Sequence, residues 1–186
     1  MIRDVCIVYY LESSSVYGDS SEGELITAFD NNLETFFTIY SNTYTGDNFS
    51  YEGSFTTSVE STAIFGEWLQ ITLPSAISID SFSIGTRKDY MFRFPSSGIL
   101  LGSNDGSTFE IITTTRTDGE PKFLESFLVG GASKEYSTYR FICTATSGDT
   151  WLSISEFYVT PSSTRYDTIS LEATSFYFFD VYTFTL

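Results

Sequence analysis

The feature that most constrains this chain is a regular alternation of apolar and polar residues in short runs, concentrated between Gly66 and Ile112. In the run GEWLQITLP, the apolar residues Leu69, Ile71 and Leu73 occupy every second position. A period of two is that of a β-strand with one buried face. The stretch therefore predicts strands rather than helices.

Three more strands are predicted in the same stretch, and turn signals separate them. They are centred on Phe82 and Ile84, on Ile99 to Leu101, and on Phe109 and Ile111. Pro74 is expected to end the first strand, because proline has no N–H for a strand ladder. The pair Asp105-Gly106 predicts a tight turn that joins the third and fourth strands as a hairpin.

The rest of the chain continues this pattern. Further strands are predicted at residues 2–11, 123–129, 137–145 and 151–159, and residues 41–63 are predicted to form a long surface loop or a pair of edge strands. The sequence contains no amphipathic helical pattern of useful length. A length of 186 residues suits one domain with one core. We therefore expect an all-β fold over residues 1–186, an antiparallel β-sandwich or jelly roll.

Charge and hydropathy exclude several classes of partner. The chain has 24 acidic and nine basic residues and a formal net charge of −15, which repels nucleic acid and anionic lipid. It has no apolar run near the roughly 18 residues of a membrane span, and its first residues lack the apolar core of a signal peptide. We expect no nucleic-acid partner, no membrane insertion, and a location inside a cell or a virus particle rather than secretion.

The chain has no histidine. This excludes Ser-His and Cys-His nucleophile pairs and removes the commonest ligand of catalytic zinc. The 24 acidic residues always offer some pair of carboxylates for glycoside hydrolysis, but no pair is singled out. We expect a protein that is not an enzyme.

The order of these features resembles that of a known family. A strand containing Trp68, a basic loop at Arg87-Lys88, a strand begun by Pro95 and the hairpin GSNDGSTFE resemble the discoidin family. This is also called the coagulation-factor type C or galactose-binding-like family, and it includes family 32 carbohydrate-binding modules. The resemblance covers about residues 24–160. It implies a galactose-binding-like sandwich, here with extra N- and C-terminal strands, that recognises a glycan or a protein surface through loops at one end.

A possible metal site combines one loop with one late strand. Asp30, Asn32 and Thr35 place hard oxygen ligands within six residues, as calcium requires. Glu156 shares the parity of apolar residues in its strand, so its carboxylate is expected to point inward. The resemblance implies that these four residues hold a structural calcium ion. The alternative is an Asx-turn with Glu156 hydrogen-bonded to backbone amides.

A basic cluster is the first candidate for ligand binding. Arg87, Lys88 and Arg93 are interleaved with aromatic residues that include Tyr90. The resemblance implies that Arg87 donates hydrogen bonds to sugar hydroxyls. Phe94 stands where the galactose-binding pattern has asparagine, so galactose specificity does not follow. The alternative is a loop that neutralises acidic neighbours or docks another subunit.

Two aromatic residues complete the candidate ligand site. Trp151, beside Asp149, is either an aromatic platform or a core residue, and Tyr44 lies in the 41–63 segment, where we expect functional surface.

Cys6 and Cys143 are too few for a disulfide scaffold. They are either free buried thiols or, as the resemblance implies, a disulfide joining the ends of the sandwich.

The C-terminal extension, residues 161–186, favours a second function. Its last 13 residues are apolar on both strand faces, so they must be covered. We expect pairing with the strand at residues 2–11, with aromatic surface left for other subunits of an assembly. The alternative to a glycan-binding module is thus a structural assembly subunit, such as a minor capsid or other virion component. A carbohydrate-active enzyme is the third alternative.

Overall fold

The computed structural model describes residues 9–16, 25–39, 42–130 and 134–162. Its strands are β1 (Tyr10–Ser13), β2 (Phe37–Ile39), β3 (Tyr44–Thr45), β4 (Ser50–Tyr51), β5 (Thr56–Val59), β6 (Thr62–Phe65), β7 (Glu67–Ile77), β8 (Ile79–Gly85), β9 (Pro95–Ser103), β10 (Glu110–Arg116), β11 (Leu124–Leu128), β12 (Tyr136–Thr146), β13 (Leu152–Ile154) and β14 (Glu156–Pro161). A short 3₁₀ turn spans Met91–Arg93. The all-β prediction is confirmed. Within the described ranges, no helix has the length and hydropathy needed to cross a bilayer.

Two antiparallel sheets form the sandwich. The larger sheet has the order β1-β7-β12-β9-β10, and the short strands β4 and β3 join the end of β12. The smaller sheet has the order β11-β8-β14. Two pairs complete the fold, β2 with β13 and β5 with β6. Strand β12 is central in the larger sheet, because it is hydrogen-bonded to a long strand on each side, β7 and β9.

The core lies between the facing sides of the two sheets. Phe82 of the smaller sheet is fully buried, and its ring centroid lies 5.9 Å from that of Phe141 on β12 and 6.4 Å from that of Phe157 on β14. Leu69, with the alternate residues of β7, is buried against them, as the period of two predicts. Replacing such a buried aromatic by alanine costs about 3 to 5 kcal/mol.

A second, smaller core covers the outer face of the larger sheet. The β5–β6 hairpin packs there, and the buried members of this cluster are Val59, Leu101, Phe109 and Ile142. As a result Gln70, which the alternation predicts to be solvent-facing, is only 2% exposed. Its side-chain oxygen accepts a hydrogen bond of 2.9 Å from Arg140 Nε. Residues 42–65 form two strand pairs, β3 with β4 and β5 with β6, so that paired strands and not a long loop occupy the described part of this segment.

Two predicted strand limits are wrong. β7 continues through Pro74 to Ile77, because the pairing of β12 with β7 is interrupted between Tyr136 and Thr138 and no ladder bond is needed there. The predicted strand 151–159 is two strands. It breaks at Ser155, whose N–H donates to the carbonyl of Gly85, so that β13 pairs with β2 and β14 pairs with β8.

The connections next to the candidate site gather at one end of the sandwich, which we call the loop end. It comprises residues 86–94, which join β8 to β9, residues 117–123 after β10, residues 147–151 after β12, and the turn between β3 and β4. Residues 28–36 join this end, since the Phe157 N–H donates to the carbonyl of Ala28. The predicted pairing of residues 2–11 with the C-terminal extension lies outside the described residues, apart from β1, which pairs with β7.

Candidate functional site

The basic aromatic surface at the loop end consists of Arg87, Lys88, Tyr90, Arg93 and Trp151. Successive tight turns build it, because the Tyr90 N–H donates to the Arg87 carbonyl and the Arg93 N–H donates to the Tyr90 carbonyl. The two guanidinium groups lie 4.5 and 4.3 Å from the Tyr90 ring centroid. Tyr90 nevertheless keeps 44% of its surface exposed. The structure therefore holds one tyrosine ring against two arginines and leaves part of the tyrosine exposed to solvent.

Both arginines are also bound to carboxylates. Arg87 makes a two-fold hydrogen bond to Asp89, at 3.0 and 2.8 Å. Arg93 Nε donates to Asp149 at 3.0 Å. Each arginine side chain is at most one-fifth exposed. These contacts fix the guanidinium planes in place, so any ligand meets a pre-organised surface and not a mobile basic loop.

Three further side chains border this surface and were not singled out in the sequence. The Arg87 guanidinium lies 3.7 Å from the Phe36 ring centroid, and Lys88 lies 4.0 Å from Glu34 in the preceding loop. Phe92, 56% exposed, rests over Gly148. Phe92 could have been found, since it lies inside the basic cluster, but Phe36 and Glu34 are separated from it by some 50 residues of sequence.

The structure corrects one predicted ligand-binding residue. Tyr44 is fully buried, and its hydroxyl donates to the Cys143 carbonyl at 3.3 Å. Its ring packs on that of Tyr51, at a centroid distance of 5.4 Å. The polar composition of residues 41–63 predicted surface, but Tyr44 begins β3 and faces the core. Tyr44 therefore has no surface to offer a ligand.

Trp151 belongs to the loop end rather than to the core. It is half-buried, and the Arg93 guanidinium lies 5.4 Å from its ring centroid. The backbone N–H of Trp151 donates to the Asp149 side-chain oxygen Oδ1 at 3.0 Å. The alternative of a core residue assumed one continuous strand over residues 151–159, but the strand breaks at Ser155.

Cys143 carries a free thiol in the core. Burial raises the pKa of this thiol to about 12, so it is protonated and unreactive at neutral pH. Cys6 lies outside the described residues.

The four predicted calcium ligands converge on one place. The Thr35 hydroxyl lies 2.9 and 2.8 Å from the two Asp30 carboxylate oxygens and 2.7 Å from the Asn32 carbonyl oxygen. A hydroxyl has a single proton, so it cannot donate to three oxygens at once. Oxygens gathered this closely suit a cation at their centre.

Glu156 supplies the second observation. It is fully buried, and neither carboxylate oxygen accepts a hydrogen bond of normal geometry from the residues that the structure describes. Burial is the main reason that the pKa of Glu156 is raised to about 8; the Asp30 carboxylate raises it further, and the nearby backbone of Asn32 lowers it only in part. Unpaired buried carboxylates are rare. Glu156, Asp30, Thr35 and Asn32 thus fit a hard divalent cation, with two carboxylates and neutral oxygens.

Comparison with solved structures gives the same fold for this chain. Three similar structures are family 32 carbohydrate-binding modules. That of Clostridium perfringens NanJ in complex with galactose has 14% identity and a TM-score of 0.58, covering 81% of this chain and 92% of that one. The CpGH89 module from Clostridium perfringens, in complex with GalNAc-β-1,3-galactose, has 15% identity and a TM-score of 0.59, covering 82% and 94%. The AlyQ module in complex with 4,5-unsaturated mannuronic acid has 18% identity and a TM-score of 0.56, covering 84% and 97%.

At these identities the likeness concerns the fold. It confirms the predicted galactose-binding-like β-sandwich. Neither the protein-family models nor the curated proteins give a match.

Proposed function

We propose that this chain is a non-catalytic carbohydrate-binding module that binds a saccharide at the basic aromatic surface. The observation that carries the proposal is the Tyr90 ring, held between Arg87 and Arg93 and 44% exposed. The exposed edge and hydroxyl of the Tyr90 ring can contact a sugar, and guanidinium N–H groups donate to sugar hydroxyls. The fold shared with saccharide-binding modules supports the same interpretation.

The sugar itself does not follow from the fold. The ligands named for the three similar structures range from galactose through a neutral disaccharide to an unsaturated uronic acid. Phe94, in the position where the galactose-binding pattern has asparagine, is fully buried. We therefore propose a saccharide as the ligand class and leave its identity to experiment.

Calcium belongs to this proposal as a structural ion held by Asp30, Asn32, Thr35 and Glu156. When bound, it supplies positive charge that offsets two neighbouring carboxylates. The loop that carries three of these residues also carries Glu34 and is followed by Phe36, and these two side chains contact Lys88 and Arg87 respectively. This loop therefore contacts the basic aromatic surface and helps to hold Lys88 and Arg87 in place.

A glycan array, followed by calorimetric titration of the best saccharide, tests the proposal. Tyr90→Ala is expected to weaken binding at least tenfold, since it removes both the aromatic contact with the sugar and the ring that holds the Arg87 and Arg93 guanidinium groups in place. The matched control is Tyr10→Ala, which removes a tyrosine 69% exposed on β1. A chain that binds no array glycan, or binds equally well as Tyr90→Ala, would contradict the proposal.

A second candidate function, an assembly subunit, is favoured by one observation. Leu128 and Leu124 are 83% and 41% exposed on β11, which lies at an edge of the smaller sheet. A second copy of this chain could pair along that edge. Light scattering of the wild type and of Leu128→Lys tests it: a dimer that the substitution converts to monomer supports assembly, and a wild-type monomer at all concentrations contradicts it.

A further inference from the structure

A polar cleft of about 640 Å³ opens at the loop end, beside the basic aromatic surface. Four segments build it: the β3–β4 turn, the start of β9, the end of β10 and the end of β12. Its wall is held by hydrogen bonds between segments, such as that from Ser96 Oγ to the Thr146 carbonyl at 2.8 Å. This volume is within the range of small-molecule sites, but the lining is mainly polar instead of apolar.

Arg116 lines this cleft at the end of β10. Most described basic residues are neutralised by a carboxylate: Arg87 by Asp89, Lys88 by Glu34, Arg93 by Asp149, Lys122 by Asp118 and Lys134 by Glu110. Arg140 is stacked between two aromatic rings. Within the described ranges, Arg116 has neither an ion pair nor a ring contact. An uncommitted guanidinium, on a chain of net charge −15, keeps all five N–H donors for a ligand.

The cleft also offers acceptors. Asp47 and Asn48, both exposed, stand on the wall formed by the β3–β4 turn, and Asp47 makes no ion pair with any described residue. Ser147 Oγ, on the β12 side, is buried and has no hydrogen-bond partner among the described residues. A lining with one free guanidinium, one free carboxylate and several hydroxyls matches a ligand rich in hydroxyl groups, each of which both donates and accepts.

The charge of the cleft selects among saccharides. An acidic sugar would meet Arg116, but it would also meet Asp47 and the negative field of the whole chain. A neutral sugar uses both Arg116 and Asp47 without a charge conflict. The observations therefore favour a neutral saccharide.

The cleft adjoins, at Ser147, the segment that carries the basic aromatic surface. The Ser147 N–H donates to the Phe94 carbonyl at 2.9 Å, and the exposed ring of Phe92 lies against the next residue, Gly148. We propose that the cleft around Arg116 and Asp47 is a second saccharide subsite, which takes a neutral sugar unit of the same ligand that packs on Tyr90. This inference rests on the proposed function and adds to it that the ligand has at least two sugar units.

Calorimetric titration of the full chain tests it with galactose, N-acetylgalactosamine, GalNAc-β-1,3-galactose and 4,5-unsaturated mannuronic acid. The neutral disaccharide is expected to bind at least tenfold more tightly than either monosaccharide. Arg116→Ala should remove that advantage while leaving monosaccharide binding unchanged. Asp47→Asn should weaken the disaccharide as well, because the strongest acceptor is lost.

The matched control is Lys134→Ala, which removes one positive charge near the start of β10, roughly 20 Å from Arg116 for a strand of seven residues. It should change nothing. If Arg116→Ala binds the disaccharide as the wild type does, the cleft is not a subsite, and monosaccharide binding still supports the proposed function. Tighter binding of the uronic acid, or a gain on Asp47→Asn, overturns the neutral ligand. Absence of binding by all four sugars overturns the subsite proposal, whereas the proposed function is contradicted only if no glycan of the array binds.

Discussion

At the scale of single residues, Glu156 is the most informative side chain. Glu156 accepts no hydrogen bond of normal geometry from the described residues. A buried carboxylate in that position is unfavourable unless it is protonated or bound to a cation. Its pKa of about 8 means that, at neutral pH and without a bound metal ion, the Glu156 carboxyl group of the folded chain is mostly protonated. The same group thus reports on both pH and calcium.

The pH dependence has a definite sign. Because folding raises the pKa of Glu156 from 4.5 to about 8, its contribution to stability is fully present below about pH 4.5 and is lost as the pH rises through 8. In chelator, the thermal midpoint of the wild type should therefore fall between pH 5 and pH 8 relative to that of Glu156→Gln. Parallel profiles for the two proteins in calorimetric scans would contradict this.

Bound calcium should offset the loss of stability that ionisation of Glu156 causes as the pH rises. At a calcium concentration 100 times its dissociation constant, an ion that binds only the folded state stabilises it by about 2.7 kcal/mol. The thermal midpoint of the wild type at pH 8 should rise on adding calcium, and those of Asp30→Ala and Glu156→Gln should not. An equal rise in all three would place the ion elsewhere.

A substitution at Tyr44 tests whether this residue contributes to the stability of the core alone or also to saccharide binding. Tyr44→Phe should lose about 0.5 to 1.5 kcal/mol of stability, because one hydrogen bond to the Cys143 carbonyl disappears. Saccharide affinity should stay at the wild-type value, since Tyr44 is fully buried. A Tyr44→Phe protein that is stable but binds saccharide poorly would return this residue to the ligand site.

At the scale of elements, most strands could be predicted from the sequence because their alternation reflects one buried face. Three features could not. The strand break at Ser155 and the continuation of β7 through Pro74 depend on which neighbouring strand supplies hydrogen bonds. The burial of Gln70 depends on the β5–β6 hairpin folding over the sheet, which leaves no trace in the period of β7.

The candidate site was predictable to a similar degree. Arg87, Tyr90 and Arg93 are close in sequence, so a cluster of this composition was visible, whereas the carboxylates and rings that fix the arginines come from distant loops. The polar cleft had no local signal, because four strand ends assemble it.

The β5–β6 hairpin offers a test at this scale through Arg140. Its guanidinium lies 3.8 and 4.3 Å from the ring centroids of Trp68 and Phe109, and it donates to Thr57 on the hairpin at 3.0 Å. Arg140→Ala should destabilise the chain by about 2 to 3 kcal/mol, because stacking is lost and buried polar groups lose a donor.

Hydrogen exchange localises this effect. Amides of residues 56–65 should exchange faster in Arg140→Ala, while those of the central β9–β12 ladder stay protected in conditions where the protein remains folded. Arg140→Lys should fall between the two, since lysine keeps the charge but not the planar stack. Uniform loss of protection throughout the chain would show that the hairpin is not a separate unit.

At the scale of the whole molecule, the net charge of −15 opposes compactness. Raising the sodium chloride concentration from 0.01 to 0.15 M shortens the Debye length from about 30 to about 8 Å, so the thermal midpoint should increase. Binding of a neutral saccharide should change little over the same range. A midpoint that falls with salt would mean that ion pairs outweigh the repulsion.

The central claim, that the loop end of this sandwich binds a saccharide, is tested most directly by mapping contacts residue by residue. Isotopically labelled protein with calcium should be titrated with the best saccharide of the glycan array while amide resonances are followed. The account predicts saturable shifts confined to residues 87–93, 116–118 and 147–151, with β11 unaffected. Saturable shifts centred on β11 or the β5–β6 hairpin, or no shifts at millimolar sugar, would contradict it.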